Sequence, residues 1–481
     1  YVLDVKDLDA VAEQGRNRRS FAPALSSHLH LIHEIPPAPD QPIASGTEVV
    51  IGIDGGSTTT KCAMVRLDGT LLDKLYIKTN GDPEHSLKEV LRYLSRHRDH
   101  VIVRGIGATG SARKLYEKLL LSRKKADQIR QQGKIPADRI TDEITCHALG
   151  VRHYDKRVDT IFEIGGQDMK YTVFNKDGSV RDAKMNFSCQ AGCGQTLENM
   201  ADLIGLDVRT TLQEYALRAE RVPIIDSTCG VFMEMDETRL ISEGFSREEI
   251  AAAIVRGTAA SYYHKFVGGA QNTGQVCSAQ GGPALGKAFL AALAQVANKD
   301  IYAYPHREIF GAWGAALDVL SHLHQMAQSG MACDTAFRGW DLVTMEFCKS
   351  RRKCKEVVDR SCDMRDCVLD VFSIDNETIL SGGFCPKGNS ESREKPRTNY
   401  VEVFHSIFDK HFSQQKTISA EMLVENRMKD FDIICREKPR TNYVEVFHSI
   451  FDKHFRRYGL LLADLDGQSA PDKTVGRSEE R

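Results

Sequence analysis

The chain has 481 residues, and its 64 lysines and arginines against 66 acidic residues leave a formal net charge of -2. This balance argues against nucleic acid and against a charged membrane surface as partners. No apolar stretch approaches the roughly 20 residues that span a bilayer, and the first residues lack the apolar core of a secretory signal, so we expect a cytoplasmic protein. The 13 cysteines are many for a reducing compartment, where cysteines more often bind metal or react than form disulfides.

At about 150 residues per domain, the length predicts two or three cores. Residues 1–46 are polar and end in a proline-rich stretch, which predicts an N-terminal segment and linker. From residue 47, short β-branched runs alternate with longer amphipathic ones, a pattern typical of α/β layers. Residues 246–330 are helix-rich, and their small residues let helices approach closely. Predicted strands lie near 48–54, 61–67, 101–105, 159–164 and 169–175, and predicted helices near 84–97, 110–121 and 194–205.

The C-terminal part differs in composition. Five cysteines and a hairpin-like stretch lie within residues 346–389, and we predict a small cysteine-rich module at 335–390. In the tail, 391–481, the 20-residue segment 393–412 recurs letter for letter at 436–455. An identical copy indicates a recent duplication or an error of sequence assembly rather than a solenoid, which needs at least three repeats, so we assign it no function.

Two glycine-rich turns follow predicted strands. IGIDGGSTTTK, residues 51–61, runs from an apolar strand into Asp54, two glycines and hydroxyl groups, without the spacing of a Walker A loop or a GxGxxG turn. Glycines let the backbone approach a phosphate, hydroxyl groups donate to its oxygens, and a carboxylate holds Mg²⁺ through water. The same order recurs in IFEIGGQDMKY, residues 161–171, which contains Asp168. Two such units would face one triphosphate from opposite sides.

These turns, with GGPAL at 281–285 and GAWGAAL at 311–317, resemble the actin/Hsp70/sugar-kinase ATPase superfamily. The resemblance implies an α/β fold with a duplicated ribonuclease-H-like core over residues 47–330. Within the superfamily, DGGSTTTK, EITCHALG, IGGQD, CQAGCG and STCGVFMEMD resemble the activator ATPases of 2-hydroxyacyl-CoA dehydratases and benzoyl-CoA reductases. The match covers about residues 48–325 and rests on five ordered motifs.

The resemblance assigns ATP-binding roles to the turns. Asp54 and Asp168 would position Mg²⁺ and the attacking water, with Gln167 as an orienting amide. Glu163 stands where the activators commonly have a shorter aspartate, which changes its distance to the metal. The residues expected to contact ATP are Gly55, Gly56, Ser57, Thr58, Thr59, Lys61, Gly165 and Gly166 around the phosphates, and Gly281 and Gly282 beside the adenosine.

Two cysteines precede helix-like runs: Cys189 in CQAGCG and Cys229 in STCGVF. An iron–sulfur cubane normally needs four thiolates, so two per chain would hold one 4Fe–4S cluster on the two-fold axis of a homodimer. In the resembled activators the matching cysteines have this role, and the alternative is two buried structural thiols. Cys193 stands where the activators usually have a threonine. Three interpretations are open: a spare thiol beside the cluster, an alternative ligand, or a neutral substitution, which we favour.

A second group of cysteines lies in the predicted module. Their spacing lacks a CxxC pair, and we expect a zinc site or another iron–sulfur site, as in larger activators that carry a similar module. His147 and His306 are expected to be packing residues, with a position near the nucleotide base as the alternative for His306. The group comprises Cys348, Cys354, Cys362, Cys367 and Cys385, and no role is expected for Cys62, Cys146, Cys277, Cys333 and Cys435.

Three functions are compatible with these patterns. The first, which we favour, is an ATP-hydrolysing activator that takes an electron from ferredoxin or flavodoxin and delivers it to a partner acyl-CoA dehydratase or reductase. The second is a small-molecule kinase of the amino-sugar type on the same fold, colourless and with structural cysteines. The third is a regulatory module with a decayed ATPase core, against which the intact phosphate turns argue.

Overall fold

The computed structural model describes residues 19–186, 193–345, 347–354, 358, 367–374 and 377–383. The repeated segments of the tail lie outside these residues. The strands are β1 (Phe21–Pro23), β2 (Ile32–Glu34), β3 (Thr47–Gly55), β4 (Thr59–Arg66), β5 (Leu71–Lys78), β6 (Val101–Thr109), β7 (Ile135–Pro136), β8 (Arg139–Ile140), β9 (Thr160–Ile164), β10 (Met169–Phe174), β11 (Val180–Met185), β12 (Arg221–Pro223), β13 (Cys277–Gln280), β14 (Ile301–Ala303), β15 (Cys333–Asp334), β16 (Cys348–Lys353), β17 (Val368–Ile374) and β18 (Glu377–Gly382).

The helices alternate with these strands. The α-helices are α1 (Pro83–Leu94), α2 (Arg113–Leu120), α3 (Arg123–Gln131), α4 (Glu143–Tyr154), α5 (Gly194–Leu203), α6 (Thr211–Arg218), α7 (Gly230–Ser242), α8 (Arg247–Ala260), α9 (Lys287–Ala297) and α10 (Phe310–Gln328). Short 3₁₀ turns lie at Leu25–Leu31, Ser95–His97, Ala270–Asn272, Pro283–Leu285 and Trp340–Val343, and a π-helix at Ser261–Val267.

The first lobe is built on a five-stranded sheet with the order β5-β4-β3-β6-β8. Strands β5, β4 and β3 are antiparallel neighbours, whereas β6 and β8 continue the sheet in parallel with β3. Residues 49–55 of β3 are buried without interruption, because a central strand covered on both faces contains a continuous apolar run. Asp54 and the first glycine turn therefore lie at the end of the sheet.

The second lobe repeats this arrangement in a six-stranded sheet, β11-β10-β9-β13-β14-β2. Again three antiparallel strands, β11, β10 and β9, are followed by parallel ones. The repeat confirms the predicted duplicated α/β core. The last strand of the sheet comes from the N-terminal segment, where β2 pairs with β14 and β1 pairs with β12. Residues 21–34 therefore belong to the second lobe, whereas the sequence alone indicated a polar segment and linker.

Helices α4 and α10 pack closely between the lobes. Helix α10 lies on β3, β4 and β6, and α4 packs against α10 and contacts β10. A Cβ at Gly314 would lie 1.7 Å from the carbonyl oxygen of Cys146, and one at Gly52 would lie 1.8 Å from that of Ala312. Glycine at these two positions is what allows the backbones to approach. One hydrophobic cluster in this region contains residues of both sheets, among them Val50 of β3 and Phe174 of β10.

The described part of the cysteine-rich region is a three-stranded antiparallel sheet, β16-β17-β18. Its β17–β18 hairpin was predicted from the sequence. Phe372 and Ile379 belong to the same hydrophobic cluster as Leu119 of α2 and Leu342. The sheet therefore packs on the first lobe.

The core strands and helices predicted from periodicity are confirmed, with ends shifted by a few residues. Two helix starts show ordinary capping chemistry, since Asp82 accepts from the amide of His85 at α1 and Asp142 accepts from that of Thr145 at α4. Within the described ranges, no helix is both long enough and apolar enough to cross a membrane.

Candidate functional site

The first glycine turn begins where β3 ends, just after Asp54. The amide of Gly56 donates to the carbonyl oxygen of Thr59 at 3.0 Å and closes the turn between β3 and β4. A Cβ at Gly55 would lie 2.4 Å from the ring of Tyr116, so glycine is the residue that fits at this position. The turn thereby presents backbone amides and hydroxyl groups to a cleft.

The second glycine turn connects β9 and β10 in the same way. These strands pair Ile164 with Met169, which leaves residues 165–168 as the connection. The amide of Gly165 donates to the carbonyl oxygen of Asp168 at 2.9 Å, and a Cβ at Gly165 would lie 2.5 Å from Oδ1 of Asp168. Both lobes thus end in a tight glycine turn at the equivalent place.

The two turns touch each other across the cleft. The hydroxyl of Ser57 donates to Oε1 of Gln167 at 2.8 Å, and a Cβ at Gly166 would lie 2.8 Å from the side chain of Thr58. Gly281 borders one side of the cleft. Its φ is 92°, and a Cβ at this position would lie 2.0 Å from a carbonyl oxygen of β9. The predicted ATP-site residues that line this cleft are Gly56, Ser57, Thr58, Thr59, Lys61, Gly165, Gly166, Gln167, Asp168, Gly281 and Gly282.

Asp54 lies beneath the first turn and is only 1% exposed. Its Oδ2 accepts from Nζ of Lys61 at 3.0 Å. Burial alone would raise the pKa of Asp54, but the charge of Lys61 helps to hold that pKa below its ordinary value. Oδ1 of Asp54 has no hydrogen-bond partner among the residues that the structure describes. Asp54 therefore offers an ionised oxygen to a metal ion or its water.

Lys170, which sequence reasoning did not single out, is a buried cation beside the second turn. Its Nζ lies 3.0 Å from carboxylate oxygens of Glu143, Glu163 and Asp168. Burial would lower the pKa of Lys170, yet the three carboxylates raise it well above its ordinary value. Burial also raises the pKa of Glu143. Glu143 is the first residue of α4, so the ion pairs of Lys170 with Glu143 and Asp168 connect that helix to the second turn.

His147 was expected to be a packing residue and instead lines the cleft. Its Nδ1 lies 2.8 Å from Oε1 of Gln280, and its Nε2 lies 3.3 Å from Oε1 of Glu163. With Asp54 and Glu143 it forms a group whose ligand atoms all lie within 4.8 Å of one another, close enough to hold one metal ion. The available signal was the i, i+4 spacing of Glu143 and His147, which places both on one face of α4.

A second, more apolar pocket continues from the cleft. The guanidinium of Arg209 lies 5.6 Å from the ring centroid of Tyr76 at its rim. Apolar walls with a few polar groups suit a nucleoside beside a phosphate site. Gly282, which is expected beside the adenosine, also lines this pocket. The walls comprise Leu197, Val208, Pro283 and Leu285, and the charged rim comprises Lys78, Glu198 and Arg209.

Residues 51–318 match the model of the BadF/BadG/BcrA/BcrD ATPase family. The chain belongs to this family. The (R)-2-hydroxyglutaryl-CoA dehydratase activating ATPase of Acidaminococcus fermentans is 30% identical over 273 residues, which cover 56% of this chain and 95% of that protein. The 2-hydroxyisocaproyl-CoA dehydratase activator of Clostridioides difficile is 33% identical over 223 residues, which cover 44% of this chain and 82% of that protein.

A solved structure agrees with the family match. The activator of 2-hydroxyisocaproyl-CoA dehydratase from Clostridium difficile, with bound ADPNP, superposes with a TM-score of 0.50 and 26% sequence identity. The superposition covers 58% of this chain and 97% of that chain. The core of this BadF/BadG/BcrA/BcrD ATPase therefore has the actin/Hsp70/sugar-kinase-like fold that its motifs predicted.

In this ATPase, Cys229 is the N-cap residue of α7 and is half-exposed. The predicted second ligand, Cys189, lies outside the described residues. Cys193 is the N-cap residue of α5, where it is buried with its Sγ 3.3 Å from Oγ1 of Thr196. A buried position of this kind supports the neutral, packing interpretation of Cys193.

Two cysteines of the second group are buried side by side. The amide of Cys354 donates to the carbonyl oxygen of Cys367 at 2.8 Å. A second metal site stays a prediction, because Cys362, Cys385 and the side chain of Cys348 lie outside the part of the chain that is described. Of the cysteines without an expected role, Cys62, Cys146 and Cys277 are buried, Cys333 is half-exposed and Cys435 lies outside the described residues.

His306 is not among the residues that line the cleft or the adjoining pocket. Its ring centroid lies 6.0 Å from that of Trp313. Its backbone has a positive φ of 62°, and the residue lies in the turn before α10.

Proposed function

We propose that the protein is an ATP-hydrolysing activator that delivers a low-potential electron to a partner acyl-CoA dehydratase or reductase. The observation that carries this proposal is the convergence of both glycine turns and the 281–282 pair on one cleft, in a chain of this ATPase family. Two relatives named as dehydratase activators, together with a solved activator structure that contains ADPNP, support ATP as the nucleotide and an acyl-CoA enzyme as the partner. Ferredoxin or flavodoxin would supply the electron.

The two turns would hold the triphosphate between them. Backbone amides and hydroxyl groups of residues 56–59 face residues 165–168 across the cleft, and such groups bind phosphate oxygens without a Walker A loop. Oγ1 of Thr58 is buried without a hydrogen-bond partner among the described residues, and a phosphate oxygen would satisfy it. Lys61 would add positive charge on the first-lobe side, and the adenosine would enter the pocket beside Gly282.

The carboxylates of the cleft fit a magnesium ion. Mg²⁺ prefers oxygen ligands and keeps several waters, and Asp54 offers an ionised oxygen that no other described group occupies. When bound, the ion would neutralise negative charge that develops on the transferred phosphate. We assign Asp168 and Gln167 to the positioning of the metal and the attacking water. Lys170 would keep Asp168 oriented through its ion pair.

The described part of the proposed cluster site is also compatible with an iron–sulfur cluster. Cys229 is half-exposed at the start of α7, where backbone amides and the helix dipole favour negative charge. Val231, Phe232 and Met235 of the same helix are exposed, and an exposed apolar surface beside a ligand suits contact with a second protomer. We propose that Cys189 and Cys229 of two chains hold one 4Fe–4S cluster.

Iron and acid-labile sulfide per chain, measured after strictly anaerobic purification, test this proposal. The full-length chain is required because β17 and β18 pack on the first lobe. A bridging cluster predicts a loss of about two irons per chain in Cys189→Ala and in Cys229→Ala. Cys333→Ala, a change at a half-exposed cysteine with no proposed role, should keep the wild-type content.

Unchanged iron in both ligand variants would overturn the electron-transfer proposal. The small-molecule kinase would then be the function to test, by acceptor-dependent phosphoryl transfer from ATP.

A further inference from the structure

The imidazole of His147 is oriented by a hydrogen bond on the side of the ring opposite to Nε2. Its Nδ1 lies 2.8 Å from Oε1 of Gln280, a residue that is fully buried. Because an amide oxygen only accepts hydrogen bonds, Nδ1 carries the proton and donates it to Gln280. Histidines that bind metal through Nε2 are commonly held in this way, with Nδ1–H donated to a carbonyl oxygen.

The surroundings of Nε2 favour a cation. Nε2 lies 3.3 Å from Oε1 of Glu163, and a nitrogen lone pair and a carboxylate oxygen repel each other at this distance. A second proton on the ring or a bound metal ion would remove the repulsion. Ligand atoms of Asp54 and Glu143 lie within 4.8 Å of that of His147, so the nitrogen and two carboxylates surround one position.

The charges of this group are also not balanced. The ion pairs at the base of the cleft join four carboxylates with only two lysines, which leaves an excess of two negative charges. One divalent cation would compensate this excess. The carboxylates are those of Asp54, Glu143, Glu163 and Asp168, and the ammonium groups are those of Lys61 and Lys170.

A glycine leaves space beside two of the three ligand atoms. A Cβ at Gly311, in the first turn of α10, would lie 2.7 Å from Oδ2 of Asp54 and 2.9 Å from Nε2 of His147. Oδ1 of Asp54 is buried without a hydrogen-bond partner among the described residues. An unpaired buried carboxylate oxygen, next to space that a methyl group would fill, indicates a cation site rather than a packed core.

We propose that His147 binds the divalent ion of the nucleotide site directly through Nε2, together with Asp54 and Glu143, so that the site prefers a first-row transition-metal ion to Mg²⁺. This inference rests on the proposed function and identifies the class of its metal ion. Mg²⁺ prefers oxygen ligands, whereas an imidazole nitrogen favours transition metals, whose affinities rise from Mn²⁺ to Cu²⁺.

Mn²⁺ is the probe, because it is the weakest binder of that series and its free aqueous ion gives an electron paramagnetic resonance signal that disappears on binding. The full-length chain, in excess over ADPNP, is titrated with Mn²⁺, and competition with Mg²⁺ gives both dissociation constants. We expect the wild type to bind Mn²⁺ at least about 30-fold more tightly than Mg²⁺.

His147→Gln tests the nitrogen ligand, because it replaces the imidazole by an amide whose oxygen suits Mg²⁺. The Mn²⁺ affinity should fall about tenfold or more, while the Mg²⁺ affinity changes less than about threefold. His153→Gln is the matched control, since it is the same substitution at an exposed position of the same helix, outside the cleft. It should keep both affinities.

A spectroscopic signature identifies the ligand directly. In a chain grown with ¹⁵N-labelled histidine, pulsed electron paramagnetic resonance detects ¹⁵N that is bound to Mn²⁺. We expect this coupling in the wild type and in His153→Gln, and its loss in His147→Gln. Among the described residues that line the cleft, His147 is the only histidine.

The outcomes separate the inference from the proposed function. Failure of the wild-type chain to bind ADPNP with either metal would contradict the proposed function itself. ADPNP binding without ¹⁵N coupling, or an equal fall of both metal affinities in His147→Gln, would overturn direct ligation and indicate a protonated His147 paired with Glu163. Should His147→Gln fail to fold, the spectrum of the wild type still decides.

Discussion

At the scale of single residues, Asp54 carries the charge on which the proposed metal and phosphate chemistry depends. In Asp54→Asn the amide keeps the shape but loses the charge that pairs with Lys61. We therefore expect ATP hydrolysis to fall about 100-fold or more, measured as a steady-state rate. Asp68→Asn is the control, because Asp68 is an exposed turn residue paired with Arg66, and it should keep the wild-type rate. A fully active Asp54→Asn variant would remove Asp54 from the site.

Loss of Lys170 should strongly destabilise the fold. Lys170→Met would leave Glu143, Glu163 and Asp168 without their shared cation, and breaking a buried ion pair in this way costs about 3–5 kcal/mol of unfolding free energy. Chemical denaturation at pH 7 measures the loss. Lys176→Met, at an exposed position between β10 and β11, should change stability little.

The pH dependence of the Lys170 contribution follows from its pKa. The folded-state pKa is raised well above the ordinary value of 10.5. Titration of Lys170 therefore leaves the stabilisation intact up to pH 10.5 and removes it as the pH rises through the folded-state pKa. Equal stability of Lys170→Met and Lys176→Met at pH 7 would contradict the ion-pair network.

Part of this site could be predicted from sequence because it depends on local rules. Asp54 and Asp168 each lie at a strand end with two neighbouring glycines, and that order is visible in any single stretch of chain. Lys170 carries no such local mark, and the i, i+4 spacing of Glu143 and His147 indicates only that both lie on one face of a helix. Lys170 meets that face because α4 packs beside β10, and the same long-range packing turns the face toward the cleft.

At the scale of elements, α7 contains a buried carboxyl group with an unusual environment. Glu237 is 0% exposed, and neither of its carboxyl oxygens has a hydrogen-bond partner among the described residues. Burial, with a smaller effect of Glu234, raises the pKa of Glu237 from 4.5 to about 8. The folded state therefore retains a proton that the unfolded state releases, so this group lowers stability increasingly as the pH rises from about 4.5 to about 8.

Replacing this carboxyl group should stabilise α7. Glu237→Met keeps a similar volume without the unsatisfied oxygens, and we expect it to raise the unfolding free energy by about 1–3 kcal/mol at pH 8.5 and by much less at pH 5. Denaturant unfolding at the two pH values measures the difference. Glu214→Met, at an exposed position of α6, should have a small effect. A destabilised Glu237→Met variant would show instead that Glu237 makes a stabilising interaction in the folded state.

Secondary-structure elements also differ in whether the local sequence predicts them. Strands β3, β6, β9 and β10 were predictable because each contains a run of β-branched residues bounded by turns. Strand β2 was not, because its three residues are only partly buried or exposed. Strand β2 forms because it pairs with β14, where Ile32 lies opposite Ile301. A sequence window around Ile32 contains no information about residue 301.

At the scale of the whole molecule, two repeated sheets place two equivalent turns on one cleft. The contacts Ser57–Gln167 and Thr58–Gly166 join the lobes at the phosphate site itself. A nucleotide that binds both turns more tightly in one arrangement of the lobes shifts the molecule toward that arrangement. Helix α5 contacts the second turn at one end and Gly230 through Thr196. A single short helix therefore lies between the nucleotide cleft and the chain beside Cys229.

The central claim is that one molecule combines ATP binding with a redox cluster that responds to it. The most direct measurement is the electron paramagnetic resonance spectrum of the anaerobically purified, dithionite-reduced chain, recorded with and without ATP and Mg²⁺. We predict the signal of a reduced iron–sulfur cluster, at about one cluster per two chains, and a change of its line shape when ATP is added. A chain that binds ATP but gives no cluster signal, or a signal that ATP leaves unchanged, would contradict the account.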